Sequence, residues 1–176
     1  MKALAFLATI VTAASPTQGA QLPAPIAPAA AGQLQCYSPD TTRKTCTSLA
    51  SYKSGGNGRI DNTAVVLISR NPVLTMQTVS PVEIKTGKVC GKIRRQNIDA
   101  AKFAAVDHEL DMKQAEPLRQ QLKLAYKDIF DREICTAYVP DGGTLLAKAT
   151  MDGAPMPAPD QRVMWVRPNE GYKVSP

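Results

Sequence analysis

One cysteine in the segment KTGKVCGKIRRQ, residues 85–96, stands among the cations Lys85, Lys88, Lys92, Arg94 and Arg95. Positive charge beside a thiol favours the thiolate, so the setting suits a nucleophilic or redox cysteine. That chemistry also needs a base or a resolving thiol. The chain has no Cys-x-x-Cys pair, and His108 is its single histidine. The four cysteines, Cys36, Cys46, Cys90 and Cys135, are even in number, which in an oxidising compartment means two disulfides. Cys36 and Cys46 bracket YSPDTTRKT, whose Ser38-Pro39-Asp40 signals a turn. Cys90 and Cys135 each sit in a strand-like segment, GKVCGKI and REICTAYV, and neighbouring strands bring such sulfurs within bridging reach. The preferred pairing is therefore Cys36 with Cys46 and Cys90 with Cys135. Cys90 reads as a staple, not a nucleophile.

The other reactive residues point to little chemistry. VDHELD collects Asp107, His108, Glu109 and Asp111, but adjacent side chains diverge and a metal site needs convergent ligands. SGGNGRI lacks both the dinucleotide-binding glycine spacing and the Gly-Lys-Ser/Thr of a phosphate loop. Its Gly55, Gly56 and Gly58 are explained by a hairpin turn, with Arg59 making the tip a candidate recognition surface. No Gly-x-Ser-x-Gly is present to suit a serine nucleophile. Paired carboxylates remain an alternative, since glycosidic chemistry needs no histidine. On a strand, Val89, Gly91 and Ile93 share one face, while Lys88, Lys92 and Arg94 share the other with Cys90. That cationic stripe is the second candidate binding surface. Trp165, Tyr52, Tyr126 and Tyr138 fit either core or a binding platform. No cofactor and no metal ligand set is predicted.

These residues must be read in a compartment. MKALAFLATIVTAASPTQGA, residues 1–20, has one lysine, a short apolar run and small residues before a cleavage point near residue 20, the layout of a secretory signal peptide. The apolar run falls short of the roughly 20 residues a membrane span requires, so no transmembrane segment is expected in the mature chain. Residues 21–33, QLPAPIAPAAAGQ, read as a Pro/Ala-rich flexible linker, and residues 34–176 as one domain. The expected location is periplasmic or secreted. Lys and Arg number 21 against 15 acidic residues, a formal charge of +6. An exported chain meets little nucleic acid, so the anticipated partner is an envelope polymer or another exported protein.

The elements that position these groups are mostly strands. TAVVLIS (63–69) and VLTMQTV (73–79) are strand-length β-branched runs around an Asn71-Pro72 turn. Ser80-Pro81 then interrupts, before VEIKT and KVCGKI. KTCTSLASYKS alternates like an edge strand, EICTAYVPDGGTLLAKATMDG reads as a hairpin around Pro140 to Gly143, and RVMWVRP (162–168) as a last short strand. EPLRQQLKLAYKDIFDR (116–132) carries Leu118, Leu122, Ala125 and Ile129 on one helical stripe. Pro117 suits its first turn, while Asp111 with Gln114 is a competing cap. IDAAKFAAVDHEL (98–110) fits either a short helix from Asn97 or a strand turning at Asp107-His108. The predicted fold class is α+β, an antiparallel β-meander sheet with one main amphipathic helix packed on one face. The expected function is a non-enzymatic binding module of the cell envelope. The alternatives are a small exported hydrolase of cell-wall polymer using carboxylates, or a protease inhibitor presenting the Cys36–Cys46 loop.

Overall fold

The β-branched runs form strands much longer than their apolar centres. The computed structural model describes residues 22–55, 58–106, 108–157 and 160–176. The predicted signal peptide, Gly56 and Asp107 lie outside the described residues. In chain order the strands are β1 (Leu34–Tyr37), β2 (Thr45–Cys46), β3 (Ser48–Ser54), β4 (Ile60–Arg70), β5 (Val73–Lys85) and β6 (Lys88–Lys92). A short helix α1 (Arg95–Asp99), the small β7 (Lys102–Ala105) and β8 (His108–Glu109), and helix α2 (Met112–Ala125) follow. The chain then returns to strands: β9 (Glu133–Asp141), β10 (Thr144–Met151), β11 (Ala154–Pro155), β12 (Gln161–Val166) and β13 (Lys173–Val174).

Eight of these strands close into an antiparallel barrel. Around the ring the order is β1, β3, β4, β5, β6, β9, β10 and β12, and β12 pairs back onto β1 through Leu34↔Val166, Gln35↔Trp165, Cys36↔Met164 and Tyr37↔Val163. This overturns the expected α+β sheet with a helix on one face. The protein is mostly β, with one substantial helix, and closure gives every ring strand a neighbour on both sides over at least part of its length. Segment KTCTSLASYKS is accordingly no edge strand, since β3 lies between β1 and β4.

Long β5 explains how the remaining elements attach. It pairs with β4 along most of its length, with β7 through residues 74–77 and with β6 through residues 82–85. Residues 78–81 between those pairings have no strand on their second side, so the donor missing at Pro81 costs least there and the strand is not interrupted. Buried Asn97 of α1 closes part of this gap by donating from Nδ2 to the Val79 carbonyl at 3.0 Å.

Helix α2 starts at the competing cap. Gln114 N donates to Asp111 Oδ1 at 2.8 Å and Asp111 N donates to Gln114 Oε1 at 3.1 Å, which satisfies two backbone donors reciprocally. Pro117 is thereby left inside the helix. Ala115, Leu118, Leu122 and Tyr126 pack on Met76, Ile98 and Phe103, where β5 has left β6 for β7.

Residues 22–31 depart furthest from expectation. A flexible linker was the predicted state of residues 21–33, yet Ala27–Ala31 form a 3-10 helix, and Leu22, Ile26 and Ala29 are buried against Tyr52, Ile60, Val82 and Val89 of the barrel. Their spacing makes one apolar stripe on a compact turn, tied by Ile26 N donating to Pro23 O at 3.0 Å. We call this segment the plug.

Both predicted disulfides are present, Cys36–Cys46 and Cys90–Cys135, so none of the cysteines is free. The first lies on the outer surface of β1 with Val166, Leu49 and Tyr172, beneath the parallel β2–β13 ladder. No helix among the described residues is long and apolar enough to cross a membrane. Paired cysteines and this lack of a spanning helix are compatible with export.

Candidate functional site

Strand alternation sorts the wall built by β5, β6 and β9 into two chemically different sides. Outside lies a groove of about 520 Å³ over Cys90, lined among others by Gly58, Arg59, Lys85, Lys92, Arg94 and Glu133. The two candidate surfaces from the sequence, the stripe and the glycine tip, thus meet in one depression. Gly58 adopts φ +74°, a left-handed conformation in which glycine is unstrained, and delivers Arg59 to the groove. Lys88 and Gly55 are not among the lining residues. Gly55 N instead donates to Arg59 O at 2.6 Å and holds the tip together.

Some of these charges are already engaged. Arg59 makes a two-pronged contact with Asp61, Nε to Oδ1 and Nη2 to Oδ2, both at 2.9 Å. Lys85 Nζ sits 2.5 Å from Glu133 Oε1 and 3.5 Å from Glu83 Oε2. The hydrogen bond to Glu133 is the main reason that the Lys85 ammonium is held above the usual lysine range. Lys88, Lys92 and Arg94 form no ion pair among the described residues. Glu83 and Glu133 are the pair of carboxylates that line this groove, and both are salt-bridged to the one Lys85 ammonium.

Inside, the wall faces hydroxyls. Tyr52 Oη donates to Gln35 Oε1 at 2.8 Å, Tyr138 Oη to the same oxygen at 3.2 Å and Tyr37 Oη at 3.3 Å. The Tyr37 and Tyr138 hydroxyls are 2.5 Å apart. Burial pushes the phenols of Tyr37 and Tyr52 well above the ordinary tyrosine range, and the Tyr138 hydroxyl beside them adds to the effect. Tyr37 and Tyr52 therefore stay protonated donors through any physiological pH. Gln35 itself is completely buried, and its Nε2 finds no hydrogen-bond partner. Tyr37, Tyr52 and Tyr138 line a cavity of about 240 Å³, together with Asn62, Thr78 and Ser80 among others. Val82, Gly91 and Lys92 border both this cavity and the outer groove. The wall is thin there because Gly91 has no side chain: a Cβ would lie 3.1 Å from Val82 Cγ1.

Elsewhere the sequence candidates disperse. His108 is exposed on β8, where its neighbour Glu109 pairs with Lys102. Sulfur–carboxylate proximity at Cys90, Glu133 and Cys135 offers a metal nothing, because both sulfurs are spent on each other. The Cys36–Cys46 loop is rigid, with Asp40 accepting from Thr42 N at 3.0 Å and Arg43 N at 2.8 Å. It folds as a turn, not as the extended strand that a protease cleft takes up. Trp165 packs beside the plug and lines a recess with Pro25, Leu145 and Val163.

Sequence reasoning missed the phenol cluster. Gln35 and Tyr37 sit on β1, Tyr52 on β3 and Tyr138 on β9. Their local signal is a polar residue at alternate positions of otherwise apolar strands, the side that a barrel turns inward. No protein-family model, curated protein or solved structure matches the chain.

Proposed function

We propose that the chain is a non-enzymatic binding module of the periplasm or the secreted space, which engages an acidic envelope polymer through the groove over Cys90–Cys135. One observation carries this proposal. Residues 58–59 and residues 92–94, distant in sequence, present their cations in a single depression where Lys92 and Arg94 form no salt bridge among the described residues. The formal charge of +6 adds long-range attraction to an anionic surface. The locked sulfurs and the carboxylates bound to Lys85 support binding over catalysis.

Surface plasmon resonance on immobilised dextran sulfate, with uncharged dextran as the blank, tests the proposal. Wild type is expected to bind the sulfated surface and to release it with rising salt. The pair Lys92→Glu and Arg94→Glu should weaken that binding by about tenfold or more through lost attraction and new repulsion. Equal retention of wild type and the double variant rejects the groove. Binding that survives high salt rejects its ionic basis.

A further inference from the structure

The barrel interior calls for an occupant that the outer groove does not explain. A closed barrel of eight strands has room either to be filled by its own side chains or to hold one small ligand. Here the plug residues Leu22 and Ile26 pack on Tyr52, Val82 and Val89. The same three barrel residues also line the cavity of about 240 Å³. At about 30 Å³ per water, that is room for roughly eight waters or one compact molecule.

Its lining specifies the chemistry. Val82 and Val89 supply apolar surface, and the rings of Tyr52 and Tyr138 supply aromatic surface. Ile93, Ile134 and Gly91 extend the apolar part, and the uncharged hydrogen-bonding groups are the three phenols, Asn62, Thr78, Ser80 and Thr136. No carboxylate lines it, and the single cation, Lys92, also borders the groove outside. An ion placed among the phenols would be desolvated without a counter-charge, which is costly. A purely apolar guest would strand the hydroxyls, which is also costly.

The polar groups are also incompletely matched to one another. Three hydroxyls point at one amide oxygen, which has two lone pairs, while Gln35 Nε2 is enclosed without an acceptor. Asn62 Nδ2 is used by Ser51 O at 3.2 Å, but its Oδ1 and the Thr78 and Ser80 hydroxyls have no protein partner among the described residues. Gln35 lies behind the lining, but a guest with several hydroxyls, each both donor and acceptor, meets the demands of Asn62, Thr78 and Ser80. Its C–H faces meet the valines and the aromatic rings.

We propose that the barrel interior binds a small, neutral, polyhydroxylated molecule of the single-ring sugar or cyclitol class, held by Tyr37, Tyr52 and Tyr138. This site is independent of the groove and of any acidic polymer, and it would stand if the groove failed its own test.

The experiment is an NMR titration of the full, oxidised chain carrying ring-labelled tyrosine. The probes are glucose, galactose, N-acetylglucosamine and myo-inositol, with glucuronate as the charged control and cyclohexanol as the apolar one. At least one neutral probe is expected to shift Tyr37, Tyr52 and Tyr138 saturably while leaving Tyr126 and Tyr172 in place. Tyr52→Phe should weaken that binding by roughly tenfold, the worth of one hydrogen bond. Thr78→Val, which touches none of the phenol bonds, is expected to weaken it as well and serves if Tyr52→Phe fails to fold. No saturable shift from any neutral probe overturns the proposal, as water alone would then fill the space. Tighter binding of cyclohexanol or of glucuronate than of every neutral polyol overturns it too.

Discussion

Adjacent residues of β6 live in two different media. Val89 is buried against Tyr52 and the plug, whereas the next residue, Cys90, forms the floor of a groove lined by arginine, lysine and glutamate. On the inner side the phenols are neutral and bonded to each other and to Gln35, because an unpaired charge there would lose its water for nothing. On the outer side they are ions in contact with solvent, where pairing adds little to stability and much of the charge stays open to a partner. Stability therefore belongs to the inside and to the covalent staple, and solvated charge to the outside.

The staple is where this division is broken most forcefully, since Cys90 and Cys135 lie on the groove side yet constrain the fold. They are 45 residues apart in sequence, against 10 for Cys36 and Cys46. By the loop-entropy relation the longer closure is worth about 4 kcal/mol and the shorter about 3 kcal/mol. The double variant Cys90→Ala with Cys135→Ala is expected to lose that larger amount in urea unfolding, while the groove cations remain. If Cys36→Ala with Cys46→Ala proves the more destabilising, loop length is not what governs the difference.

Next in size is the plug. Ile26 is 0% exposed, so truncation leaves a cavity at the centre of the inner cluster. Ile26→Ala should cost about 3 kcal/mol, read from the same unfolding curves. A cost below about 0.5 kcal/mol, the range of ordinary surface changes, would return residues 22–31 to the status of a tether.

The plug also shows what was legible in the chain and what was not. Its three prolines and run of alanines advertise an extended tether, while Leu22, Ile26 and Ala29 become an apolar stripe only once the turn at Pro23 is formed. Strand positions were readable from TAVVLIS, VLTMQTV and the Pro140–Gly143 hairpin, because alternation and turn chemistry are local. Both cysteine pairings were readable for the same kind of reason. Closure was not: it rests on β1, just four residues long, meeting β12 at the far end of the chain. A pairing at that separation leaves no trace in local periodicity. Helix α2 turned on a contest between two legible signals, and two reciprocal hydrogen bonds at Asp111 outweighed a proline at its preferred place. The groove residues were named in advance as two surfaces, and only the fold makes them neighbours. The phenols were seen singly, because Gln35 and Tyr138 are 103 residues apart.

Single substitutions on the two sides sharpen the contrast. Tyr52→Phe removes the hydroxyl that donates to Gln35 at 2.8 Å and leaves a buried acceptor less satisfied. It is expected to cost about 1 kcal/mol. Lys92→Met, on an exposed side chain without an ion pair among the described residues, should stay within about 0.5 kcal/mol. Equal costs would mean that the interior network carries no more stability than the solvated face.

At neutral pH the ionisation of the phenols contributes no difference at all, and the contrast emerges only in alkali. Tyr37 and Tyr52 have folded-state pKa values raised above the ordinary value of 10.0, first by burial and then by the Tyr138 hydroxyl. Below pH 10 both the folded and the unfolded chain hold these protons, so stability does not depend on them. Above it the unfolded chain releases protons that the folded chain retains, and stability falls with rising pH. The outer ion pairs of Lys85 act in the same direction, since its ammonium is also held above its usual range, but that side chain is exposed and salt screens it. Alkaline unfolding followed by tyrosinate absorbance separates the two: the decline owed to the phenols should persist in high salt, with Tyr37 and Tyr52 ionising only as the barrel opens. Free titration of every tyrosine near pH 10 with the fold intact would show instead that water already reaches the cluster.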